Sequence, residues 1–164
     1  MESQNLTSQR RFLFPKERIK TFESFQSFRE NQHALLALIK TQLTEGASLV
    51  LQGPRGSGKT HLIQAASRFN APSMYLGHAT CAKLCPNILL GLSHTRLCID
   101  DLPRLLQTPE WEHALFSFLS GHNNTLITSL QQRSQIETVG LPDLRSRLFS
   151  YLCLSTEPLN QHEQ

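Results

Sequence analysis

Gly53-Pro54-Arg55-Gly56-Ser57-Gly58-Lys59-Thr60 is the stretch whose residue types and spacing point most directly to chemistry. It fits the pattern G-x-x-x-x-G-K-[ST] in full. Its glycines permit a tight loop whose N–H groups turn inward on phosphate oxygens. A helix beginning at the end of the loop would add its positive N-terminal dipole. In such a loop Lys59 reaches the β- and γ-phosphates and the Thr60 hydroxyl ligates magnesium. A plain glycine turn is the alternative. The setting argues against it, because Ser48 to Gln52 reads as an apolar strand before the loop and residues 59–69 as a helix after it.

A second constellation follows. Thr95 to Ile99 reads as a buried strand that delivers two carboxylates, Asp100 and Asp101. Asp100 is suited to hold magnesium through water. Asp101 is the candidate for polarising an attacking water, with a side chain one methylene shorter than glutamate. An acidic turn is the competing reading, and it suits Asp101 better than Asp100. Cys81 and Cys85, with His78 nearby, lack zinc-knuckle spacing and have no second pair, so no metal centre is expected there. Cys98 and Cys153 lie in apolar strand-like runs and read as small core residues.

The elements that must position these groups alternate. Ala34, Leu35, Leu38, Ile39 and Leu43 fall near helical spacing, and that helix ends by Gly46. Ser73 to Leu76 reads as a strand, and residues 79–92 carry no clear period and are broken by Pro86. Thr108-Pro109 is a helix start, a hydroxyl cap followed by proline at the first helical position. Trp111, Ala114, Leu115, Phe118 and Leu119 then form a stripe at i, i+3, i+4, i+7, i+8 that reads as packing, up to Gly121. Thr125 to Thr128 and Tyr151 to Leu154 are further strands, with a short helix, Leu141 to Phe149, between them. Strands alternating with helices predict an α/β fold, a parallel sheet with helices on both faces, whose ligands sit beyond the carboxyl ends of the strands.

The 164 residues are enough for one self-sufficient domain, with 39% hydrophobic and 18% charged residues. The net charge of +3 does not by itself imply nucleic acid. Arg10, Arg11, Lys16, Arg18 and Lys20 cluster near the N-terminus, as a solvated arm or as an arm that contacts DNA. Residues 1–20 are therefore assigned to a flexible arm, 21–157 to the core and 158–164 to a tail. There is no signal-peptide pattern and no apolar run near the ~20 residues of a membrane span, so a cytoplasmic protein with no membrane contact is expected.

The sequence from Thr21 to Leu154 resembles the DnaA family of AAA+ replication proteins. Thr21-Phe22-Glu23-Ser24-Phe25 is similar to the "TF-x-x-F" segment that opens the family's AAA+ domain. Gly58-Lys59-Thr60-His61-Leu62-Ile63-Gln64-Ala65 resembles its phosphate-loop helix, which adds His61 to the nucleotide-binding residues. Cys98-Ile99-Asp100-Asp101 is similar to its acidic strand, and Leu126-Ile127-Thr128-Ser129 to its sensor-1 strand. Within the family the likeness is greatest to the Hda branch, through Leu141-Pro142-Asp143-Leu144-Arg145-Ser146-Arg147-Leu148 and the run from Trp111 to Phe116.

The resemblance implies a three-layer P-loop AAA+ core, with ATP or ADP and Mg2+ as cofactors. It implies regulation of replication initiation through the DnaA initiator and the DNA sliding clamp. Arg147 would be an arginine finger on a partner's ATP, with Arg145 as the competing candidate and surface pairing as the bland alternative. Gln9, Phe12, Leu13 and Phe14 lie where the Hda branch carries its clamp-binding peptide; a hydrophobic staple onto the domain is the other reading. DNA contact and self-association stay open. Two departures matter. Leu130 stands where the family has a polar sensor-1 residue, with Thr128, Ser129 or Gln131 as substitutes. The family's core is also followed by a helical lid, whereas this sequence stops at Gln164, so a core with no C-terminal helical lid is expected, either as a natural lidless variant or as a truncated chain. Intrinsic ATP hydrolysis should accordingly be weak or absent, with chemistry on a partner's ATP in trans.

Overall fold

The computed structural model describes residues 19–26 and 32–158. Its framework is five short strands: β1 Leu49–Gln52, β2 Ser73–Leu76, β3 Arg96–Ile99, β4 Thr125–Leu130 and β5 Leu152–Ser155. They pair in parallel in the order β2-β3-β4-β1-β5. Parallel neighbours need crossovers, and helices supply them on both faces.

Side-chain alternation sorts the strand residues into two cores. Leu49, Leu51, Cys98 and Ile127 pack with α1 Phe22–Gln26, α2 His33–Thr44 and α3 Lys59–Ala66. Val50, Leu97, Ile99 and Leu126 pack with the other layer, built from α5 Leu102–Leu105, α6 Pro109–Ser120, α7 Pro142–Ser150 and a 3-10 turn at Pro86–Gly91. The stripe Trp111, Ala114, Leu115, Phe118 and Leu119 is buried, as its spacing predicts.

Two buried charges fasten neighbouring elements together. Arg96 opens β3, and its guanidinium donates to Leu43 O (2.9 Å), Ala66 O (3.1 Å) and Phe69 O. Those carbonyls lie at or just beyond the C-terminal ends of α2 and α3, where helices leave acceptors unpaired and favour a cation. Glu112 of α6 accepts the N–H groups of Gly140 (2.9 Å) and Leu141 (2.7 Å). It thereby fixes the N-terminus of α7, where an anion is favoured.

Several expectations need correction. In α2 the buried stripe is Leu36, Ile39 and Leu43, while Ala34 and Leu38 face out. Leu36 is i−3 from Ile39 and i−7 from Leu43, whereas Leu38 is one residue, about 100°, off that line. The helix after the phosphate loop stops at Ala66 and β4 runs on to Leu130. β5 begins one residue later than expected, at Leu152. Its Cys153 is only half-buried, because β5 is an edge strand. Thr108 precedes α6 in extended geometry but makes no side-chain capping bond. The unassigned stretch resolves into α4 His78–Cys81 and the turn that Pro86 begins.

Candidate functional site

The carboxyl ends of β1, β3, β4 and β5 deliver the loop at Gly53, the pair Asp100 and Asp101, Gln131 and Thr156 to one edge of the sheet. β1 lies between β4 and β5, so the loop springs from a buried, doubly paired strand. Gly53 donates its N–H to Leu130 O (3.3 Å). A Cβ on Gly53 would fall 2.3 Å from Thr156 Oγ1 and 2.5 Å from Thr156 O, so only glycine fits against that residue. Gly58 has φ +89° and is the N-cap of α3, a left-handed conformation that glycine adopts without steric cost.

Lys59 lies over the loop, its Nζ donating to Gly53 O (2.6 Å) and Pro54 O (2.7 Å). Burial holds its ammonium below the ordinary lysine value, while Asp100 and Asp101 pull the other way. Thr60 donates its hydroxyl to Asp100 Oδ2 (2.7 Å). Ser129 donates to Asp100 Oδ1 (2.7 Å) and accepts the N–H of Asp101 (2.9 Å). Asp101 has φ +61°, a left-handed conformation uncommon outside glycine and concentrated at functional sites.

These groups line a cavity of about 540 Å3, together with Arg55, Gly56, Gly58, Leu130 and Gln131. Lys20, Phe25 and His61 complete the lining. That volume is in the range of small-molecule sites. A glycine-bearing loop leading into a helix N-terminus, Lys59 and a hydroxyl–carboxylate pair suit a phosphate chain with a divalent cation, so the donor set fits both. His61 Nε2 sits 2.8 Å from Thr21 O and 2.9 Å from Ser24 Oγ, and its ring meets Phe25 edge-on. It fastens α1 to the helix that begins at Lys59.

The structure brings Gly53, Gly56, Ser57, Gly58, Lys59, Thr60, His61, Asp100 and Asp101 into one locale. Pro54 and Arg55 lie on the exposed part of the loop. Among the sensor-1 substitutes, Thr128 donates to Ile99 O (3.0 Å), Ser129 grips Asp100, and Gln131 lies on the exposed rim. Leu130 is buried in the core at 2% exposure while its edge reaches the cavity. Arg147 and Arg145 stand apart. Arg147 has its guanidinium 5.2 Å from the Phe116 ring centre and donates to Ser120 Oγ (3.3 Å). The Arg145 guanidinium makes long bonds to Glu137 O and Val139 O, 3.4 and 3.5 Å. Gln9, Phe12, Leu13 and Phe14 lie outside the described residues.

Sequence reasoning missed the grip of Ser129 on Asp100, the contact of Thr156 with the loop, and the wall formed by Lys20 and Phe25. Ser129 was findable as a hydroxyl at the end of a strand beside the acidic strand. Thr156 carried no local signal.

No protein-family model matches the sequence, and no curated protein matches it. Solved structures do. "Structure of AMPPCP-bound DnaA from Aquifex aeolicus" superposes with a TM-score of 0.66 at 21% identity, covering 93% of this chain and 52% of that one. Domain III of the Thermotoga maritima replication initiation protein DnaA gives 0.61 at 23% identity, covering 92% and 72%. A structure of "Drosophila ORC bound to AT-rich DNA and Cdc6" gives 0.59 at 14% identity, covering 85% and 59%. The chain thus spans about half the length of the Aquifex DnaA it matches. Among the described residues no helix is long and apolar enough to cross a membrane. Sheet order, phosphate-loop placement and these superpositions together show a DnaA-like AAA+ fold.

Proposed function

We propose that this chain is a regulator of replication initiation of the Hda type. It binds ADP or ATP with magnesium and, together with the sliding clamp, promotes hydrolysis of ATP bound to the DnaA initiator. The observation that carries the reading is the meeting of Lys59, Thr60 and Asp100 at one cavity, beneath a loop with a complete phosphate-binding pattern. Lys59 would exchange its loop carbonyls for phosphate oxygens. Thr60 and Asp100 would hold the magnesium, which neutralises phosphate charge. Arg147 would act on the nucleotide of the partner, where a permanently charged planar guanidinium can contact two oxygens at once. Its present hold on Phe116 and Ser120 is weak and exposed enough to release.

Calorimetry with ADP and ATP tests the nucleotide site. The wild type should bind and Lys59→Ala should lose most of the affinity; equal binding by both ends the assignment. The regulatory role is tested by following ADP formed from DnaA-bound ATP in the presence of clamp-loaded DNA. Wild type should stimulate and Arg147→Ala should not. Full activity of Arg147→Ala refutes the finger, and an inert wild type refutes the regulator.

A second reading, an ATPase or helicase-loader-like protein, is favoured by one observation. Asp101 is held at the cavity by Ser129 in a left-handed conformation, beside the acid suited to magnesium. Steady turnover by the isolated chain would select it. Nucleotide-independent binding of partners would instead select an adaptor that keeps only the fold.

A further inference from the structure

We propose that Thr156 is a positioning residue for the phosphate loop, acting through Ser57; the consequence for nucleotide binding rests on the reading above. Three neighbours of Ser57 in the loop, Pro54, Arg55 and Gly56, are exposed, yet Ser57 itself is fully buried. Its hydroxyl lies 2.6 Å from Thr156 Oγ1. Thr156, at 3% exposure, is the first residue beyond β5. It is bound twice to one acceptor, donating its N–H (2.7 Å) and its hydroxyl (3.1 Å) to Gln52 O.

Either hydroxyl can be the donor across this pair. Thr156 Oγ1 also reaches Gln52 O, and Lys59 Nζ stands 3.4 Å from Ser57 Oγ. The contacts form a continuous chain from Lys59 through Ser57 and Thr156 to the last carbonyl of β1. The same threonine fills the space beside Gly53 that any side chain would need. Thr156 therefore sets both the root of the loop and its middle, without lining the main cavity.

The physical consequence follows from burial. Removing this buried tie, from either side, shifts an equilibrium by about tenfold. Pro54, Arg55 and Gly56 are exposed, so that part of the loop has room to move and relieve the cost. The loop backbone then shifts, and phosphate binding weakens without loss of the fold. Valine keeps the shape of threonine but removes the hydroxyl, whereas serine keeps the hydroxyl.

The test uses the full chain in four variants: Thr156→Val, Thr156→Ser, Ser57→Ala, and Ser57→Ala with Thr156→Val. Amide hydrogen exchange is read first, without nucleotide. Exchange of residues 53–60 should quicken about tenfold in Thr156→Val and in Ser57→Ala, remain near wild type in Thr156→Ser, and stay unchanged for α6 throughout. Calorimetry with ADP should then show affinity about tenfold weaker in Thr156→Val and in Ser57→Ala, with the double variant no weaker than either single one. Unchanged loop exchange in Ser57→Ala and Thr156→Val overturns the proposal. So does a Thr156→Ser variant as impaired as Thr156→Val, or additive losses in the double variant. If the wild type binds no ADP, the nucleotide reading falls, and the exchange measurement still decides whether Thr156 positions the loop. If Thr156→Val does not fold, Ser57→Ala against Thr156→Ser decides it.

Discussion

Ser129 donates its hydroxyl to Asp100 Oδ1 over 2.7 Å, from β4 to the residue that follows β3. Because Thr60 holds the other oxygen, the carboxylate is clamped at both ends before any cation arrives. Ser129→Ala should free it to rotate. Binding of ADP with magnesium should weaken about tenfold, the size expected for one charge-assisted bond. Binding in EDTA should hardly change. Calorimetry in both conditions checks this; equal losses with and without magnesium would show that Ser129 supports the loop rather than the acid.

Gly53→Ala places a methyl group against the Thr156 backbone, which cannot swing aside as a flexible side chain could. Overpacking of this kind costs about 1–3 kcal/mol. Urea unfolding should show that loss, and ADP binding should fall with it. A stable variant with normal affinity would mean that β5 yields easily.

Arg96→Met should be among the most damaging substitutions outside the cavity. Methionine fills much of the volume but leaves the carbonyls of Leu43, Ala66 and Phe69 without their donor. The expected loss is about 3 kcal/mol or more, since three bonds from one charged group are lost at once, although Leu43 O and Ala66 O keep backbone donors. Chemical denaturation measures it. An unchanged midpoint would mean that water replaces the guanidinium.

Much of this was legible in the sequence, and the reason is locality. The phosphate loop is eight adjacent residues whose job depends on backbone freedom and one lysine, so the pattern survives in the sequence alone. The same holds for Asp100, which follows a four-residue apolar strand, and for the stripe on α6. What stayed hidden depends on partners far along the chain. Arg96 looks like any polar residue at a strand edge until α2 and α3 bring three carbonyls to it. Glu112 looks like a solvated helix residue until Gly140 and Leu141 arrive. The face of α2 was misplaced because it has more apolar residues than its buried stripe uses, and only packing against α1 and α3 decides among them. The strand expected to end at Thr128 runs on to Leu130, so Leu130 belongs to the core.

The cysteines offer a check on burial. Burial pushes the Cys98 thiol from an ordinary 9.0 up to about 12, against a slight opposing pull from Arg96. Cys85 is exposed. At pH 8, iodoacetamide should label Cys85 readily in the native protein and reach Cys98 only after unfolding, because the thiolate is the reactive form. The folded state prefers the protonated thiol, so the contribution of Cys98 to stability is complete below pH 9 and is lost as pH rises from 9 toward 12. Peptide mass mapping of the labelled protein decides this, and rapid native labelling of Cys98 would contradict a sealed β3.

Ser57 and Thr156 are separated by 99 residues, and Gln52 and Ser155 by 103. The strand carrying the phosphate loop is flanked only by β4 and β5, both from the distal part of the sequence. During synthesis the loop therefore emerges early and waits, with neither flank of β1 paired and its central apolar side chains uncovered. Closing contacts of such long separation is slow, since the chain must lose its freedom before the pairing compensates. The phosphate loop is thus written early and assembled last. A nascent chain that has not reached Thr156 has every residue of the motif but lacks the neighbour against which Gly53 and Ser57 pack, so the surroundings of the loop are complete only once β5 has been added.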